Sequence, residues 1–264
     1  MSHSVKLSII ICALDSRDHL VRCFESLSLQ YLPRSWELIL VENGSSDGTA
    51  GWVAAEYPQF RVIANTANKG VSIARNQALA EARGEFVLFL DADTYFTESH
   101  TIKHLISVLD SDPTIALLAP KLLYPDGRYQ CNVRRFPTLS TMAVRALGLD
   151  LWAKKRRFFR DFLYEDIMIE NKELLDVDWA LAACQLIRSS VFNQIGLLDP
   201  KYFYGYEDID FCYRLKRGGA RVVFDPRVSL VHIYQRRSTQ SCFFAYHHGR
   251  SILRFLVKRY LCLI

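Results

Sequence analysis

The chain has 264 residues, of which 50% are hydrophobic and 23% charged, and its formal net charge is +5 at pH 7. This length allows one large α/β domain or two small ones with an ample core, and the composition is that of a globular protein. The mild positive charge suits an anionic ligand or a membrane surface. It does not by itself indicate nucleic-acid binding, so no nucleic-acid partner is predicted.

The cysteines and the N-terminus indicate a cytoplasmic protein. Seven cysteines form no C-x-x-C pair, and their odd number disfavours a disulfide framework. The first residues enter a strand-like run without the apolar region of a signal peptide. No uninterrupted apolar segment is long enough to span a bilayer. We therefore expect a soluble protein, or one that at most lies on the inner face of the cell membrane.

The first 120 residues alternate strand-like and helix-like patterns. Apolar, β-branched runs predict buried strands at 7–13, 36–41, 60–64 and 86–90. Amphipathic spacing and capping residues predict helices after Asp18 with Leu29 on the apolar face, from the 43–49 loop to Tyr57, over 71–82, and from about Thr97 to Leu109. This alternation predicts an α/β fold with a mostly parallel sheet and helices on both faces.

Three groups of side chains follow predicted strands. Ligands of parallel sheets bind at the carboxyl ends of the strands. The groups at these ends are Ala13-Leu14-Asp15, Glu42-Asn43 and Asp91-Ala92-Asp93.

The pattern changes after residue 120. A strand is predicted over 177–187, a helix over 207–216 that ends at Gly218-Gly219, and two short strands over 221–224 and 228–233. We interpret this second half as a smaller region that shares the sheet of the first half.

Asp91 and Asp93 form a D-x-D pattern after a buried strand. Mg²⁺ and Mn²⁺ prefer oxygen ligands, and a nucleotide diphosphate can supply further ones. A lone D-x-D is weak, because acidic loops after strands are common and usually only solvated. Its position in a parallel sheet favours a metal–diphosphate site.

Glu207 and Asp208 are adjacent carboxylates close to aromatic residues. Burial and mutual repulsion can raise the pKa of one of them and make it a proton acceptor. The alternative is helix capping, because acids in a first turn meet the helix dipole favourably. Taken alone, these two residues favour capping.

Three other features leave alternatives open. His232 ends a strand-like run, and a lone histidine there is more often packed than a metal ligand. Gly70 permits a close backbone approach, and Arg75 can pair with a phosphate or an acidic strand end; a turn and a solvated arginine explain them equally well. Arg250, Arg254 and Lys258 share one helical face, which suits either an interfacial helix on anionic lipid or a helix docked on the core.

Taken together, these residues resemble glycosyltransferase family 2, whose members have the GT-A fold. The resemblance extends from Leu7 to about Thr239. Residues 37–49 are similar to the family's V-D-N-G-S-x-D-G-T loop, 68–76 to its N-x-G…A-R-N segment, 89–93 to its D-x-D, 178–184 and 196–199 to its W-x-x-G-A-C and G-x-x-D elements, and 204–214 to the E-D-x-D-x-x-x-R signature of the bacterial rhamnosyltransferase-like branch.

The resemblance implies a mostly parallel, Rossmann-like sheet flanked by helices, with a smaller acceptor-side region. The GT-A domain would span 1–240, with a nucleotide-sugar-binding half at 1–120 and an acceptor-side half at 121–240. Residues 241–264 would form an amphipathic basic helix that contacts the membrane peripherally.

The resemblance also implies an activity. A sugar would be transferred with inversion from a nucleotide diphosphate sugar, with dTDP-rhamnose as the leading guess. The acceptor would be a hydroxyl of a glycan or lipid-linked molecule in bacterial surface polysaccharide synthesis.

The same resemblance implies the roles of individual residues. Asp93 and His232 would bind Mg²⁺ or Mn²⁺, and Asp91 would lie near the ribose. Asp208 would be the general base, with Glu207 as its close alternative. The implied donor site comprises Ala13, Leu14, Asp15, Glu42, Asn43, Gly70, Arg75, Asp91, Ala92 and Asp93. The implied acceptor side comprises Trp179, Ala182 and Ala183.

The sequence departs from the family pattern at three places, and rival functions exist. Cys12-Ala13-Leu14-Asp15 replaces P-T-Y-N, Glu42-Asn43 replaces two aspartates, and Ala182 replaces a glycine. These changes leave the nucleotide and the acceptor open. A catalytically silent nucleotide-sugar-binding or scaffold protein would need neither Asp93 nor Asp208. A sugar nucleotidyltransferase would need a G-x-G-T-R loop and a dehydrogenase a G-x-G-x-x-G, and both patterns are absent.

Overall fold

The computed structural model describes residues 5–146, 149–153, 155–164, 173–234 and 241–261. The domain boundary predicted at residue 240 lies outside the described residues. So do residues 1–4 and 262–264, which are the ends of the two predicted regions.

The first half of the chain alternates strands and helices, as predicted. Its elements are β1 (Leu7–Ala13), α1 (Arg17–Ser28), β2 (Trp36–Glu42), α2 (Thr49–Glu56), β3 (Arg61–Ala64), α3 (Val71–Leu79), β4 (Phe86–Asp91), β5 (Thr94–Phe96) and α4 (Thr101–Ser111).

The second half is more irregular. Its described elements are β6 (Ile115–Leu123), β7 (Tyr129–Gln130), β8 (Val133–Arg134), α5 (Leu139–Ala146), α6 (Asp150–Ala153), α7 (Arg157–Phe162), β9 (Leu175–Asp176), β10 (Trp179–Ala180), β11 (Cys184–Arg188), α8 (Ser190–Ile195), α9 (Glu207–Arg217), β12 (Arg221–His232) and α10 (Cys242–Tyr260).

One large sheet organises the molecule, with the strand order β3-β2-β1-β4-β11-β6-β12-β5. The first four of these strands run parallel to one another. Strand β11 lies antiparallel between β4 and β6, and β12 is parallel to β6. The second half therefore extends the sheet of the first half, as the sequence predicts.

Both faces of this sheet are buried, which explains why its strands are continuously apolar. Leu7, Ile9 and Ile11 of β1 point into one core cluster together with side chains of α1 and α4. Ile10 points to the opposite face, into a second cluster that contains side chains of α3 and α9. The predicted arrangement of helices on both faces is confirmed.

Two strand predictions are wrong in detail. Residues 177–187 form two strands, because the chain leaves a two-stranded sheet with β8 after β10 and joins the main sheet only at β11. Residues 221–233 contain one strand, β12, with a register shift between Asp225 and Ser229. Pro226 cannot donate a ladder hydrogen bond, so the strand bends there without ending.

Two boundary predictions also fail. Leu29, placed on the apolar face of α1, is the C-cap residue and is 71% exposed. Helix α3 ends at Leu79 and not at residue 82. The apolar run 115–123 after Asp112-Pro113 received no prediction and is the central strand β6.

The C-terminal helix α10 docks on the core through its basic residues. Arg254 contacts Asp199 at 2.5 Å, and Lys258 Nζ lies 2.7 Å from carboxylates of both Asp199 and Asp210. Phe255 of the same helix is fully buried. Two of the three cations predicted for an interfacial face are thus used inside the protein. Across the described part of the chain, no helix has both the length and the apolar character that a bilayer crossing requires.

Candidate active site

The polar groups predicted at the strand ends lie side by side. The register of the sheet pairs Ala13 with Glu42, and Cys12 with Asp91. Since β1 lies between β2 and β4, the loops that follow these three strands meet at one edge of the sheet.

Asp15 and Glu42 shape the first part of this edge. Asp15 has a left-handed backbone with φ 44°, and its Oδ1 accepts a hydrogen bond of 2.8 Å from the amide of Ser46. The amide of Ser45 donates to Glu42 Oε1 at 2.6 Å. The chain on the other side of Asp15 is held by Ser16 Oγ, which donates to the carbonyl of Leu14. These contacts tie the loop after β2 to the loop after β1.

Asn43 is buried and joins the second loop to the segment before α3. Its amide group donates to Asn68 Oδ1 at 3.0 Å, and its Oδ1 accepts from the backbone amide of Lys69 at 3.1 Å. Gly70 follows with φ +84°, and a Cβ there would lie 2.7 Å from the ring of Phe203. The close approach predicted at Gly70 is therefore made to Phe203.

Asp91, Asp93 and His232 converge although the histidine is about 140 residues away in sequence. One ligand atom from each lies within 4.8 Å of the others. Strand β12 pairs with β5 and sets His232 opposite Thr94. A set of two carboxylates and one imidazole suits Mn²⁺ or Mg²⁺. The alternative of a histidine that is merely packed does not explain this convergence.

Gln130 orients His232 and was not predicted from the sequence. His232 Nδ1 lies 2.6 Å from Gln130 Oε1, while Gln130 Nε2 donates to the His232 carbonyl. Because an amide oxygen only accepts, Nδ1 carries the proton and Nε2 holds the lone pair. Nε2 then faces Asp93 Oδ1 at 3.4 Å, so two acceptors face each other. A bound cation, or a second proton on the ring, satisfies both, and the residues therefore fit a metal.

Arg75 connects the two acidic clusters of the site, which are Asp91 with Asp93 and Glu207 with Asp208. Its side chain is 3% exposed, and its Nη2 lies 2.9 Å from Asp91 Oδ1. Nη1 donates to Glu207 Oε1 at 3.2 Å, and Nη2 also donates to the carbonyl of Ala182 at 3.0 Å. Arg75 is therefore a buried bridge, which rules out the alternative of a solvated arginine.

Glu207 and Asp208 occupy the first turn of α9, and both are buried. Burial, and then the neighbouring charge of Asp208, raises the pKa of Glu207 to about 8. Burial also raises the pKa of Asp208. Asp208 Oδ1 accepts from the amide of Ile209 at 2.8 Å, but the N-cap residue Tyr206 makes no side-chain capping bond. Glu207 Oε2 is buried and has no hydrogen-bond partner among the described residues.

The residues predicted for the acceptor side contribute either a buried side chain or backbone groups. Trp179 is 4% exposed, and its indole donates to the carbonyl of Arg135. The amide of Ala182 lies 3.4 Å from Asp208 Oδ2, and the carbonyl of Ala183 accepts from the amide of Asp91. The break between β10 and β11 thus places the Ala182–Ala183 backbone between the two acidic clusters.

The fold is that of the GT-A glycosyltransferases. The mannosyltransferase PcManGT from Pyrobaculum calidifontis, solved with GDP-Man and Mn²⁺, matches with a TM-score of 0.63 at 18% identity. The match covers 95% of this chain and 65% of that chain, so this chain spans less than two thirds of the solved protein.

The sequence comparison is more specific. Residues 8–194 match the model of Glycosyl transferase family 2, and the chain belongs to that family. It is 28% identical to the N-acetylglucosaminyl-diphospho-decaprenol L-rhamnosyltransferase of Mycobacterium tuberculosis, over 96% of this chain and 85% of that protein. It is 23% identical to the rhamnosyltransferase WbbL of Escherichia coli, over 95% and 92%. The predicted resemblance to the rhamnosyltransferase-like branch is confirmed.

Proposed function

We propose that this glycosyltransferase is metal-dependent and inverting, and that it moves a sugar from a nucleotide diphosphate sugar to an acceptor hydroxyl. The observation that carries the proposal is the bridge formed by Arg75. It joins Asp91, at the strand end expected to face the donor, to Glu207, which is next to the candidate base Asp208. A protein that only bound the donor would not need this connection.

Asp91, Asp93 and His232 would hold the divalent metal. When bound, the metal offsets negative charge on the leaving diphosphate. Gln130 keeps the histidine ring oriented, and Arg75 neutralises Asp91. The placement of Asp91 near the ribose, which the resemblance implies, is compatible with a carboxylate that has one oxygen toward Arg75.

Asp208 is the better candidate for the general base. The oxygen of Glu207 that meets Arg75 is occupied, and although burial raises the pKa of both carboxyl groups, the charge of Asp208 raises the pKa of Glu207 further. Asp208 has no ion pair with any described residue and is held by two backbone amides. It would take the proton of the acceptor hydroxyl as that oxygen attacks the anomeric carbon. One such base is sufficient for inversion, since a retaining double displacement also needs a nucleophile.

The names of the relatives support the donor and the acceptor class. Both bacterial relatives are rhamnosyltransferases, and the mycobacterial one is named for a diphospho-decaprenol acceptor. We therefore propose dTDP-rhamnose as donor and a lipid-linked or glycan acceptor in cell-surface polysaccharide synthesis. Residues 1–120 would bind the donor and residues 121–240 the acceptor.

A peripheral membrane contact at the cytoplasmic face is also part of the proposal. Since Arg254 and Lys258 are engaged by the core, the contact through 241–264 would use other, exposed residues of α10. Phe243, Tyr246 and Leu253 are each more than half exposed there, and Arg250 is exposed among them. Aromatic and apolar side chains beside a cation suit an anionic lipid surface.

The test is a panel of nucleotide sugars, with and without Mn²⁺, in which nucleotide release and product formation are followed with a lipid-linked acceptor. We expect transfer from one donor and loss of this transfer on chelation of the metal. The product should have the anomeric configuration opposite to that of the donor. If the wild-type protein binds a donor but releases no nucleotide with any acceptor, the catalytically silent alternative is supported instead.

A further inference from the structure

Arg134 is a cation beside the candidate base that the roles above leave unused. It ends β8, where the register pairs it with Trp179 of β10. Its guanidinium carbon lies 5.3 Å from the centre of a Trp179 ring, and Nη2 donates to the carbonyl of Cys131 at 2.9 Å. Nε is buried and has no hydrogen-bond partner within the described ranges. Among the described residues no carboxylate forms an ion pair with Arg134.

This arrangement is costly unless an anion arrives. Arg134 is half-buried, and its Nε is a buried donor without a partner among the described residues, which is unfavourable. Arg75 is more deeply buried but differs because Asp91 and Glu207 already engage it. Arg134 is therefore the site cation whose charge is not compensated within the described protein.

The position of Arg134 links it to both clusters of the site. Strand β10, which pairs with Arg134, leads directly to Ala182, whose amide lies 3.4 Å from Asp208 Oδ2. On the other side, the chain from Gln130 to Arg134 runs directly from the residue that holds His232. An anion at Arg134 would thus lie between the metal group and the base.

We propose that Arg134 binds a phosphate group of a substrate at this site. A guanidinium offers a planar pair of donors that matches phosphate oxygens. The inference rests on the proposed function, which supplies two sources of the same chemistry. One is the diphosphate of the nucleotide, and the other is the diphosphate of a lipid-linked acceptor.

The test compares Arg134→Gln and Arg134→Lys with Arg135→Gln as the matched control. Arg135 is the next residue and is exposed; its side chain donates to the carbonyl of Asp161 and lies over the ring of Tyr164. Calorimetry measures the binding of dTDP in the presence of Mn²⁺, and separately the binding of geranylgeranyl diphosphate. Thermal unfolding is recorded for every variant, so that Arg134→Lys gives the answer if Arg134→Gln does not fold.

We expect Arg134→Gln to weaken one ligand by about tenfold or more, Arg134→Lys to weaken it less, and Arg135→Gln to change it less than about twofold. If dTDP binding is lost, the phosphate bound by Arg134 belongs to the nucleotide. If geranylgeranyl diphosphate binding is lost, the phosphate belongs to the lipid-linked acceptor. If a folded Arg134 variant binds both ligands as the wild type does, the inference is overturned while the proposed function stands. If the wild type itself binds neither ligand, the proposed function fails and the inference fails with it.

Discussion

Arg75 Nη1 lies 3.2 Å from Glu207 Oε1, and both side chains are at least nine-tenths buried although 132 residues separate them in sequence. The same guanidinium is paired with Asp91 at 2.9 Å. The end of β4 in the first half and the first turn of α9 in the second half therefore share one buried cation. Four predictions follow from this site and its neighbours, each with a different measurement.

Replacing Arg75 should destabilise the whole protein. In Arg75→Gln, the buried Glu207 Oε1 and the carbonyl of Ala182 lose their donor, at a cost of about 1–3 kcal/mol each, whereas Asp91 is 36% exposed and can be hydrated. Urea unfolding measures the loss. Arg83→Gln is the control, because Arg83 pairs with Glu37 while 69% exposed and should cost no more than about 1 kcal/mol. Equal losses in the two variants would mean that the bridge contributes no special stability.

Substitutions of Asp208 and Glu207 should differ in their effect on kcat. Asp208→Asn should lower kcat by a factor of about 10² to 10⁴, which is the range for removal of a general base, while donor binding is retained. Glu207→Gln keeps an acceptor for Arg75 Nη1 and should lower kcat much less. Steady-state transfer to a defined acceptor distinguishes them. A variant Asp208→Asn with full activity would transfer the role to Glu207 or to a group outside the pair.

Gln130 should control metal affinity without touching the metal. Gln130→Leu removes the acceptor for His232 Nδ1, and loss of such a supporting contact typically costs 10- to 100-fold in affinity. Gln130→Glu restores an acceptor and should recover most of it. Electron paramagnetic resonance titration with Mn²⁺ reports free ion directly. Asp93→Asn serves as the positive control for a lost ligand, and unchanged affinity in Gln130→Leu would show that the histidine does not bind the metal.

The buried Glu207 should make stability depend on pH. Its pKa is raised from 4.5 to about 8, so the folded state holds a proton that the unfolded state releases between these values. Stability linked to Glu207 is therefore fully present below about pH 4.5 and is lost as the pH rises toward 8, by about 1.4 kcal/mol per pH unit at most.

This dependence is measured as the difference between wild type and Glu207→Gln in urea unfolding at pH 5, 6.5 and 8, with a chelator present throughout. The advantage of the wild type should decrease steadily across the series. A difference that is constant, or that grows with pH, would mean that Glu207 is ionised in the folded protein.

Short patterns made the strand ends predictable. The apolar runs before Asp15, Glu42 and Asp91 are local in sequence, and parallel sheets bring such ends to one edge. The family resemblance added the roles, because residues alone favoured capping at Glu207 and a packed residue at His232. The structure adds the contacts of Glu207 with Arg75 and of His232 with Asp93, which the local sequence does not show.

The parts that could not be predicted depend on pairing between distant segments. The run 177–187 is apolar throughout, and only the separate partners of β10 and β11 reveal the break that exposes the Ala182 backbone. Strand β6 follows a helix stop and lacks polar alternation, since it is buried on both faces. Gln130 lies 102 residues from His232, and nothing local marks it as a partner.

The attachment of α10 has a practical consequence for the design of truncated variants of the enzyme. Lys258 holds Asp210, and Asp210 lies in the same first turns of α9 as the candidate base. Arg254 holds Asp199, in the segment just before that helix. A protein shortened ahead of residue 242 would leave both carboxylates without these cations. Lost activity in such a truncation would therefore report a disturbed helix α9 as readily as a missing membrane contact, and point substitutions at the exposed residues of α10 separate the two causes better.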